Sequence, residues 1–513
     1  MRRSLPTLLV ALVLPLAAAA QLDCRAPEAD CSLREAAAQA GVLIGAAVRD
    51  VADSDPLYEP ALAADFDSVT HEHAMKWNIT QPTRGVFSFD GADALVDFAE
   101  ANGMSVRGHT LIWEQAVVDA TPDYVTAITD PADLRALVTA HIQTVVGRYR
   151  GRVDAWDVVN EPLETLGSAV HENVFHRVLG PGYIAEVFHL AHAADPDALL
   201  FLNEIVLEPT GPKLDALVAL TRDLLEQGVP VHGVGVQGHY FIAPEPARIQ
   251  ASLQALADLG VVVELTEVDV LLRGDGDLAA RLERQRRDYF GVAAACLAVP
   301  GCRRITLWGL TDRHTWIDDF VGPGRAPLPL DADYQRKPAW YGLRDGLLST
   351  THPLPGKQLV ARQNSGKPGR NRLVVQTKSG DVAAAGAGSA GDPTLHGGTL
   401  AIDWASGGAL WDLPAEGWTP LRRGRGWRYA GASGPVRSAV LKDGRALRIL
   451  VRGADIGLDL ASDPAPVTAT LSTGTRSHCL RFSEAQRLRA GKSLRATKAP
   501  APATCPAPRL AGD

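Results

Sequence analysis

Short apolar runs alternate with helical repeats over the first 350 residues of the chain. In the helical segment 131–149, apolar residues recur at the spacing of one helix face. Pro131 stands at its start, and Gly147 and Gly151 lie near its end. The apolar runs are rich in β-branched residues and predict eight strands. They are GVLIGAAV (41–48), DSVTHEH (67–73), SVRGHTLIW (105–113), VDAWDVVNE (153–161), ALLFLNE (198–204), GVGVQGHY (233–240), VVVELTEVDV (261–270) and RITLWGL (304–310).

Eight strands that alternate with helices predict a parallel sheet. Eight is also the number of strands that closes into a (β/α)8 TIM barrel, which is the α/β fold that we expect here. An open doubly wound sheet is the competing fold. It is less favoured because no glycine-rich nucleotide loop follows the first strand.

Most of the predicted strands end in polar side chains. The run VVVELTEVDV carries Glu264, Glu267 and Asp269, although a buried carboxylate is costly unless it is paired or used. Alternation along a strand places Glu267 and Asp269 on one face and Glu264 on the other, where we expect it to contact a neighbouring helix or loop. Because the carboxyl ends of barrel strands meet at one mouth, the terminal polar residues predict a functional site there. They are Glu72, His73, His109, Trp113, Asn160, Glu161, Asn203, Glu204, Gln237, His239, Glu267, Asp269 and Trp308.

The residue types in this set favour the cleavage of glycosidic bonds. One carboxyl group can protonate the leaving oxygen while a second attacks the anomeric carbon or activates water. Amide side chains can bind sugar hydroxyls, and tryptophan faces can stack on sugar rings. A metal site built on His109, His239 and the acids is the alternative, but no HExxH or similar spaced pair supports it. We therefore expect neither a metal nor a cofactor.

Six segments resemble, in order, the motifs of glycoside hydrolase family 10, the endo-1,4-β-xylanases. They are DSVTHEHAMKW, VRGHTLIW, AWDVVNEP, GVGVQGHY, VELTEVDV and ITLWGLTD, within about residues 33–348. The resemblance implies Glu161 as the acid/base and Glu267 as the nucleophile of a retaining double displacement, with His239 and Asp269 supporting the nucleophile. It also implies a set of substrate-binding residues, of which Asn160 would hold the sugar 2-hydroxyl. The set is Glu72, His73, Lys76, His109, Trp113, Asn160, Gln237, Trp308 and Trp316.

The sequence departs from the family pattern beside the catalytic segments. His73 stands where the family has asparagine, and Glu114, Gln115 and Ala116 follow Trp113 in place of His-Ser/Asn-Gln. These changes predict an altered glycone subsite. The expected substrate is xylan, and another β-1,4-linked glycan is the alternative. A carbohydrate-binding protein without turnover is a second alternative, which the retention of both Glu161 and Glu267 disfavours.

The first residues, MRRSLPTLLVALVLPLAAAAQ, have the plan of a secretory signal peptide, which we place at 1–20. We therefore expect a secreted monomer, extracellular or periplasmic, without a membrane span. An even number of cysteines in an exported chain predicts disulfides. The six cysteines fall as close neighbours in sequence, and the resemblance implies a bond between the second pair. They are Cys24 and Cys31, Cys296 and Cys302, and Cys479 and Cys505.

The pattern changes after the predicted catalytic domain at 21–350. Pro, Gly and polar residues predict a linker at 351–370, short strand-like runs predict a smaller all-β module at 371–485, and a Pro/Ala-rich tail follows at 486–513. From residue 360 onward Lys and Arg outnumber Asp and Glu by 22 to 11, although the whole chain has a formal net charge of −8.

The role of this module remains open between three alternatives. Its four tryptophans, at 404, 411, 418 and 427, either form a sugar-stacking surface or fill a small core. A third alternative is that the basic module anchors the chain to an acidic cell surface. Dense basic runs are missing from the sequence, so we expect no nucleic-acid partner.

Overall fold

The computed structural model describes residues 23–26, 29–50, 54–115, 120–207, 211–405, 407–432, 434–454, 456 and 460–506. The predicted signal peptide at 1–20 and the substituted position Ala116 lie outside these residues. In the part of the chain that is described, helices fall short of the length and apolarity needed to cross a bilayer.

A closed parallel barrel forms the first part of the molecule, which confirms the predicted (β/α)8 fold. The strand order is β6-β5-β4-β3-β2-β1-β9-β8, and a further pairing between β6 and β8 closes the ring. A ninth, two-residue strand, β7, pairs with the end of β8. The strands are β1 Leu43–Val48, β2 Ser68–His71, β3 Ser105–Ile112, β4 Ala155–Asn160, β5 Leu199–Glu204, β6 Gly233–Val236, β7 His239–Tyr240, β8 Val262–Val270 and β9 Cys302–Leu307.

Helices surround the barrel and cover its apolar outer surface. The longest predicted segment becomes α6, which begins at Pro131 because the side chain of Asp130 accepts a hydrogen bond from the backbone N–H of Ala132. The helices are α1 Leu33–Ala40, α2 Tyr58–Asp65, α3 Trp77–Thr80, α4 Asp90–Ala101, α5 Asp123–Thr126, α6 Pro131–Arg148, α7 Val174–Leu179, α8 Tyr183–Ala194, α9 Pro212–Glu226, α10 Pro246–Ala257, α11 Leu278–Leu297, α12 Ile317–Val321 and α13 Pro338–Leu347.

Charged side chains from three strands meet inside the barrel. Arg107 on β3 is fully buried and pairs with Asp157 on β4, to which its Nε donates at 3.1 Å. Its Nη1 donates at 2.6 Å to Oε2 of Glu264 on β8, a strand that is not adjacent to β3 in the sheet. The prediction that Glu264 faces a neighbouring helix or loop was therefore wrong. The register of β8 against β9 shifts between Leu265 and Val268, and such an irregularity breaks the alternation of faces.

Two β-sheets follow the barrel and form the expected all-β module. One sheet has the order β10-β20-β19-β13-β14 and the other β15-β16-β17-β18-β12-β11-β22-β21. A short helix, α14 Pro393–His396, precedes β13. The strands are β10 Thr350–Pro353, β11 Gly356–Arg362, β12 Asn371–Thr377, β13 Gly398–Trp404, β14 Gly407–Leu413, β15 Trp418–Pro420, β16 Gly426–Ala430, β17 Val436–Lys442, β18 Ala446–Gly453, β19 Val467–Thr473, β20 Arg476–Phe482, β21 Arg487–Arg489 and β22 Ser493–Ala499.

Strands extend into both segments that were expected to be irregular. The predicted linker at 351–370 contains most of β10 and all of β11, and the predicted tail at 486–513 contains β21 and β22. Strand β11 buries Leu359 and Ala361 and pairs with β12 on one side and β22 on the other. The Pro and Gly residues of these segments therefore mark strand ends and turns within the sheets.

The tryptophans of the module belong mainly to its core. Trp418 and Trp427 are buried there, and Trp404 and Trp411 are half-buried and pack against the same apolar cluster. All six cysteines are bonded in the pairs that their positions suggested, Cys24–Cys31, Cys296–Cys302 and Cys479–Cys505. The last bond fixes the chain after β22 to strand β20.

Replacing Arg107 by leucine is expected to lower the free energy of unfolding of the barrel by about 3–5 kcal/mol. The change would remove the buried guanidinium group that the carboxylates of Asp157 and Glu264 share. Urea unfolding followed by tryptophan fluorescence measures the effect. The matched control is Arg84→Leu, which removes an ion pair between half-exposed side chains, Arg84 and Asp133, and should change stability little. Similar losses in the two variants would contradict the prediction.

Candidate active site

A cavity of about 430 Å³ lies at the mouth of the barrel, where the carboxyl ends of the strands meet. The structure brings most of the predicted site residues to its wall. The lining residues are Arg49, Glu72, His73, Lys76, Trp113, Gln115, Glu161, Thr165, Ile205, Gln237, His239, Glu267, Trp316, Asp319 and Phe320. The other predicted residues stand behind this wall. They are His109, Asn160, Asn203, Glu204, Asp269 and Trp308.

Glu267 lies near the end of β8 and is almost fully buried. Its Oε1 accepts a hydrogen bond from Nδ2 of Asn203 at 2.7 Å, and its Oε2 lies 3.1 Å from Nε2 of His239. Burial by itself raises the pKa of this carboxyl group. The hydrogen bond with His239 and the proximity of His109 outweigh burial and hold the pKa of Glu267 below its ordinary value. Glu267 is therefore ionised at neutral pH.

His239 is held between two carboxylates. Strand β7 places it directly opposite Asp269 of β8, whose Oδ2 lies 2.8 Å from Nδ1 of His239. Trp316 also donates from Nε1 to that Oδ2 at 2.8 Å, so the indole is fixed against the imidazole. Burial lowers the pKa of His239, but the charge of Asp269 and its hydrogen bond, with those of Glu267, raise it to about 10. His239 therefore carries a positive charge beside Glu267.

Glu161 immediately follows β4 and reaches the cavity from the opposite side of the site. Its backbone N–H donates to the carbonyl of Asn203 at 2.8 Å. Its φ of 53° is left-handed, a conformation that costs a non-glycine residue about 1–3 kcal/mol and is found at functional sites. Two amides donate to its carboxyl group, Gln115 at 2.7 Å to Oε2 and Gln237 at 3.2 Å to Oε1.

Amide side chains connect the two glutamates. Asn160 and Asn203 are register partners on β4 and β5, and Nδ2 of Asn203 donates to Oδ1 of Asn160 at 2.8 Å as well as to Glu267. Gln237, which contacts Glu161, lies 3.4 Å from the same oxygen of Asn160. A continuous chain of polar contacts thus runs from Glu161 to Glu267.

Asn203 and Gln115 make contacts with the two glutamates that the sequence did not predict. The sequence identified Asn203 only as a polar residue at a strand end. Asn160 and Asn203 end consecutive parallel strands, and this shared position could have predicted that their side chains meet. Gln115 lies in the segment after Trp113, where the sequence departs from the family pattern. The structure places its amide against Glu161, so an amide donor is present there despite the altered order of residues.

Buried charges form the wall at the ends of β1 and β2. Glu72 accepts from Nε of Arg49 at 3.0 Å, and its Oε1 lies 3.2 Å from Nε2 of the half-exposed His73. Burial raises the pKa of Glu72, but His73 and Arg49 bring it below its ordinary value. Burial lowers the pKa of Lys76, opposed by nearby carboxylates that include Glu267. The ammonium of Lys76 also lies 5.0 Å from the centre of the Trp113 ring.

The floor of the site joins the charged interior of the barrel. Asp157, the partner of Arg107, lies with its Oδ2 2.9 Å from Nδ1 of His109. The His109 ring meets Trp308 edge to face at 5.2 Å between centroids. His109 and Trp308 therefore support the cavity wall from behind.

A buried ion pair holds the loop that carries Glu161. Glu204, the last residue of β5, accepts from the backbone N–H of Leu163 at 3.0 Å and from Nζ of Lys213 at 2.9 Å. Lys213 also donates to the carbonyl of Thr165 at 2.9 Å. Burial raises the pKa of Glu204 to about 7 against the opposing charge of Lys213. Lys213 was not singled out from the sequence because it lies at a helix start, away from the strand ends.

The chemistry of the cavity is that of carboxyl groups and amides. Among the described residues, His, Cys, Asp and Glu are not grouped in threes that could hold a metal ion. A (β/α)8 barrel with two carboxyl groups on separate strands, amide donors and tryptophans around one mouth defines a glycoside hydrolase.

Comparison with known proteins agrees with this class. A sequence model described as Glycosyl hydrolase family 10 matches residues 32–346, and the chain belongs to that family, as its motifs suggested. An endo-1,4-beta-xylanase of Agaricus bisporus is 37% identical over 324 residues, which cover 62% of this chain and 96% of that protein. Endo-1,4-beta-xylanase 1 of Humicola insolens is 37% identical over 61% of this chain and 74% of its own length.

The same similarity is found among solved structures. The crystal structure of native xylanase 10B from Thermotoga maritima superposes with a TM-score of 0.59 at 33% identity. The superposition covers 62% of this chain and 98% of that one. The superposition and the family match therefore cover about the same share of this chain.

Replacing Asp269 by asparagine is expected to lower the pKa of His239 by about 1 to 3, because an opposite charge within hydrogen-bond reach is removed. In the wild type, the stabilisation from protonated His239 is complete below its unfolded pKa of about 6.5 and is lost as the pH rises through 10. In Asp269→Asn the loss should be smaller and should be complete at lower pH, because only the folded-state pKa changes. Titration of the His239 imidazole signal by NMR, assigned with His239→Gln, measures the change. A His239 pKa near 10 in both proteins would refute the role of Asp269.

Proposed function

We propose that this chain is an endo-1,4-β-xylanase that cleaves internal β-1,4-xylosidic bonds with retention of configuration. The observation that carries the proposal is the placement of Glu161 and Glu267, on separate strands, at one cavity and within one chain of amide contacts. The naming of its relatives as endo-1,4-beta-xylanases supports the choice of substrate.

In the first step, Glu267 is the nucleophile. Its ionised carboxylate attacks the anomeric carbon, and the bond from that carbon to the leaving glycosidic oxygen breaks. Glu161 gives its proton to that oxygen, so the leaving chain departs as an alcohol. In the second step Glu161 takes a proton from water, the water oxygen attacks the anomeric carbon, and Glu267 is released as a carboxylate.

The positive charge of His239 suits the nucleophile. It keeps Glu267 ionised before attack, and the Asn203 amide fixes the orientation of the attacking oxygen. Asp269 and Trp316 act through His239 by holding its ring in place. Gln115 and Gln237 orient the carboxyl group of Glu161 in the same way.

The sugar bound next to Glu267 is held by the remaining predicted residues. Nδ2 of Asn160 has no hydrogen-bond partner within the described residues, so it is available to donate to the sugar 2-hydroxyl. The rings of Trp113 and Trp316 line the cavity and provide faces for stacking on sugar rings. The other proposed contacts are charged or polar groups at the cavity wall or close behind it. They are Glu72, His73, Lys76, His109, Gln237 and Trp308.

His73 changes the chemistry of the cavity wall beside Glu72. Its imidazole is half-exposed and paired to Glu72, where the family has a neutral asparagine amide. A xylan is the proposed substrate, and hydrolysis of another β-1,4-glycan is the alternative that this position favours. The N-terminal segment supports export of the chain, and we propose that it works as a monomer.

Replacing either Glu161 or Glu267 by glutamine is expected to lower kcat on xylan by at least about a hundredfold, because a proton donor or a nucleophile is removed. Reducing-sugar release from xylan, cellulose and mixed-linkage β-glucan measures both activity and selectivity. The matched control is Glu164→Gln on the same loop, whose exposed side chain lies outside the cavity. Full activity in Glu267→Gln, or release from glucans but not from xylan, would overturn the assignment.

Retention of configuration has its own test. Hydrolysis of a xylo-oligosaccharide followed from the first minutes by proton NMR should show the β-anomer of the new reducing end before mutarotation. Early accumulation of the α-anomer would mean that water attacks directly and that Glu267 does not form a bond to the sugar. A wild-type protein that binds xylan without any release would favour the binding protein considered above.

A further inference from the structure

The eight-stranded sheet of the C-terminal module has one buried face and one exposed face. Leu373 and Val375 on β12, with Ile449 and Val451 on β18, point into the core between the two sheets. Side chains alternate along each strand, so the intervening residues form the opposite face. That face carries arginines at most of its charged positions.

Three of these arginines are direct neighbours across the sheet. Arg362 on β11 is the register partner of Arg372 on β12, and Arg372 is the partner of Arg452 on β18. On the other side, Arg362 faces Ser493 on β22, which faces Arg489 on β21. Neighbouring strands lie about 4.8 Å apart, so this row runs across five strands in about 20 Å.

Two more arginines extend the charge along the strands. Arg495 on β22 is the register partner of Val360, which precedes Arg362 on the same face of β11. Arg448 lies four residues before Arg452 on β18 and therefore points to the same face. All these side chains are exposed. Together Arg362, Arg372, Arg448, Arg452, Arg489 and Arg495 are called the arginine face.

No described carboxylate neutralises the charges of the arginine face. Within the described residues, none of its six side chains forms a salt bridge or a side-chain hydrogen bond, in contrast to Arg107, Arg148 and Arg152 of the barrel. The eight strands of this sheet contain lysines and arginines but not one aspartate or glutamate. The other sheet carries Asp403 and Asp412 on its strands β13 and β14. The excess of positive charge on strands therefore belongs to the eight-stranded sheet.

Such a row works against the stability of the sheet. Like charges directly opposite each other on neighbouring strands are destabilising. A partner that brings negative charge to the row would remove this repulsion and gain charge-assisted hydrogen bonds. Guanidinium groups bind carboxylates through two parallel N–H donors, a geometry that lysine does not offer.

We propose that the arginine face binds a polysaccharide that carries carboxylate groups, that is, a glycan with uronic acid residues. The inference rests on the proposed function only in its choice of a polysaccharide, since a glycan-cleaving barrel is attached to the face. Charged side groups of one glycan chain would meet successive arginines along the row. The basic surface would then hold the barrel close to acidic, decorated substrate.

The neutral positions of the face separate this partner from other polyanions. Between the arginines lie Val360, Val374 and Leu450, which are aliphatic and at least partly covered by their neighbours. Proteins that bind single-stranded nucleic acid offer aromatic platforms for the bases. Helices and loops that insert into bilayers present tryptophan, phenylalanine or leucine prominently. The described strands of this face present no aromatic side chain, and Leu450 is half-buried between its neighbours.

The test compares two triple variants of the full chain. Arg362→Gln/Arg372→Gln/Arg452→Gln removes the row, and Arg150→Gln/Arg222→Gln/Arg303→Gln removes the same charge from three exposed arginines of the barrel. The probe is polygalacturonate, which is not a β-1,4-glycan and tests the face without the active site. The row variant should bind at least about tenfold more weakly than wild type, and the barrel variant like wild type. Binding should weaken with added salt and be lost on methyl-esterified polygalacturonate.

Other results would overturn the proposal. They are equal binding by the row variant and wild type, equal binding of the esterified polymer, or tighter binding to phosphatidylglycerol vesicles or single-stranded DNA than to polygalacturonate. Release of sugar from a neutral xylan is measured in parallel. If the wild type binds polygalacturonate but releases no sugar from neutral xylan, the proposed function is wrong and the proposal for the arginine face still stands. Matching thermal midpoints of the three proteins exclude misfolding as the cause of a lost interaction.

Discussion

Charge buried inside a barrel has to be neutralised by charge from another strand, and this requirement links the fold to its site. Arg107 cannot be placed at the centre of the barrel without Asp157 and Glu264, which come from two different strands. Asp157 also contacts His109, which stands behind the cavity. Closing the barrel therefore assembles the base of the site in the same step.

The same rule operates one layer higher, at the mouth. Glu267 is kept ionised despite burial because His239 is positively charged, and His239 is charged because Asp269 faces it from the neighbouring strand. Each member of this group would be unfavourable alone. A shift in the register of β7 against β8 would thus change the charge of the site as well as its shape.

The sequence predicted the parts of the molecule that depend on local pattern. All eight barrel strands overlap the apolar runs, and only β9 begins before its run, because a strand buried on both faces needs a continuous apolar segment. The contacts of Glu264 and Gln115 were not predictable in this way. The first depends on a register irregularity in β8, and the second on where the loop after β3 crosses the mouth. The expected linker failed for a related reason, since one of the two strands that pair with β11 is β22, which lies near the end of the described chain.

The two parts of the chain treat charge in opposite ways. Arg148 and Arg152 of the barrel pair with carboxylates of helix α4, so their charge is neutralised within the fold. In the module, Arg362, Arg372 and Arg452 are aligned by β-sheet register with no carboxylate on their strands. Arginines scattered over a surface would not be expected to place three guanidinium groups at directly opposed positions. A fold that tolerates this repulsion keeps an unneutralised positive surface, and such a surface gains free energy from a partner that supplies the missing negative charge.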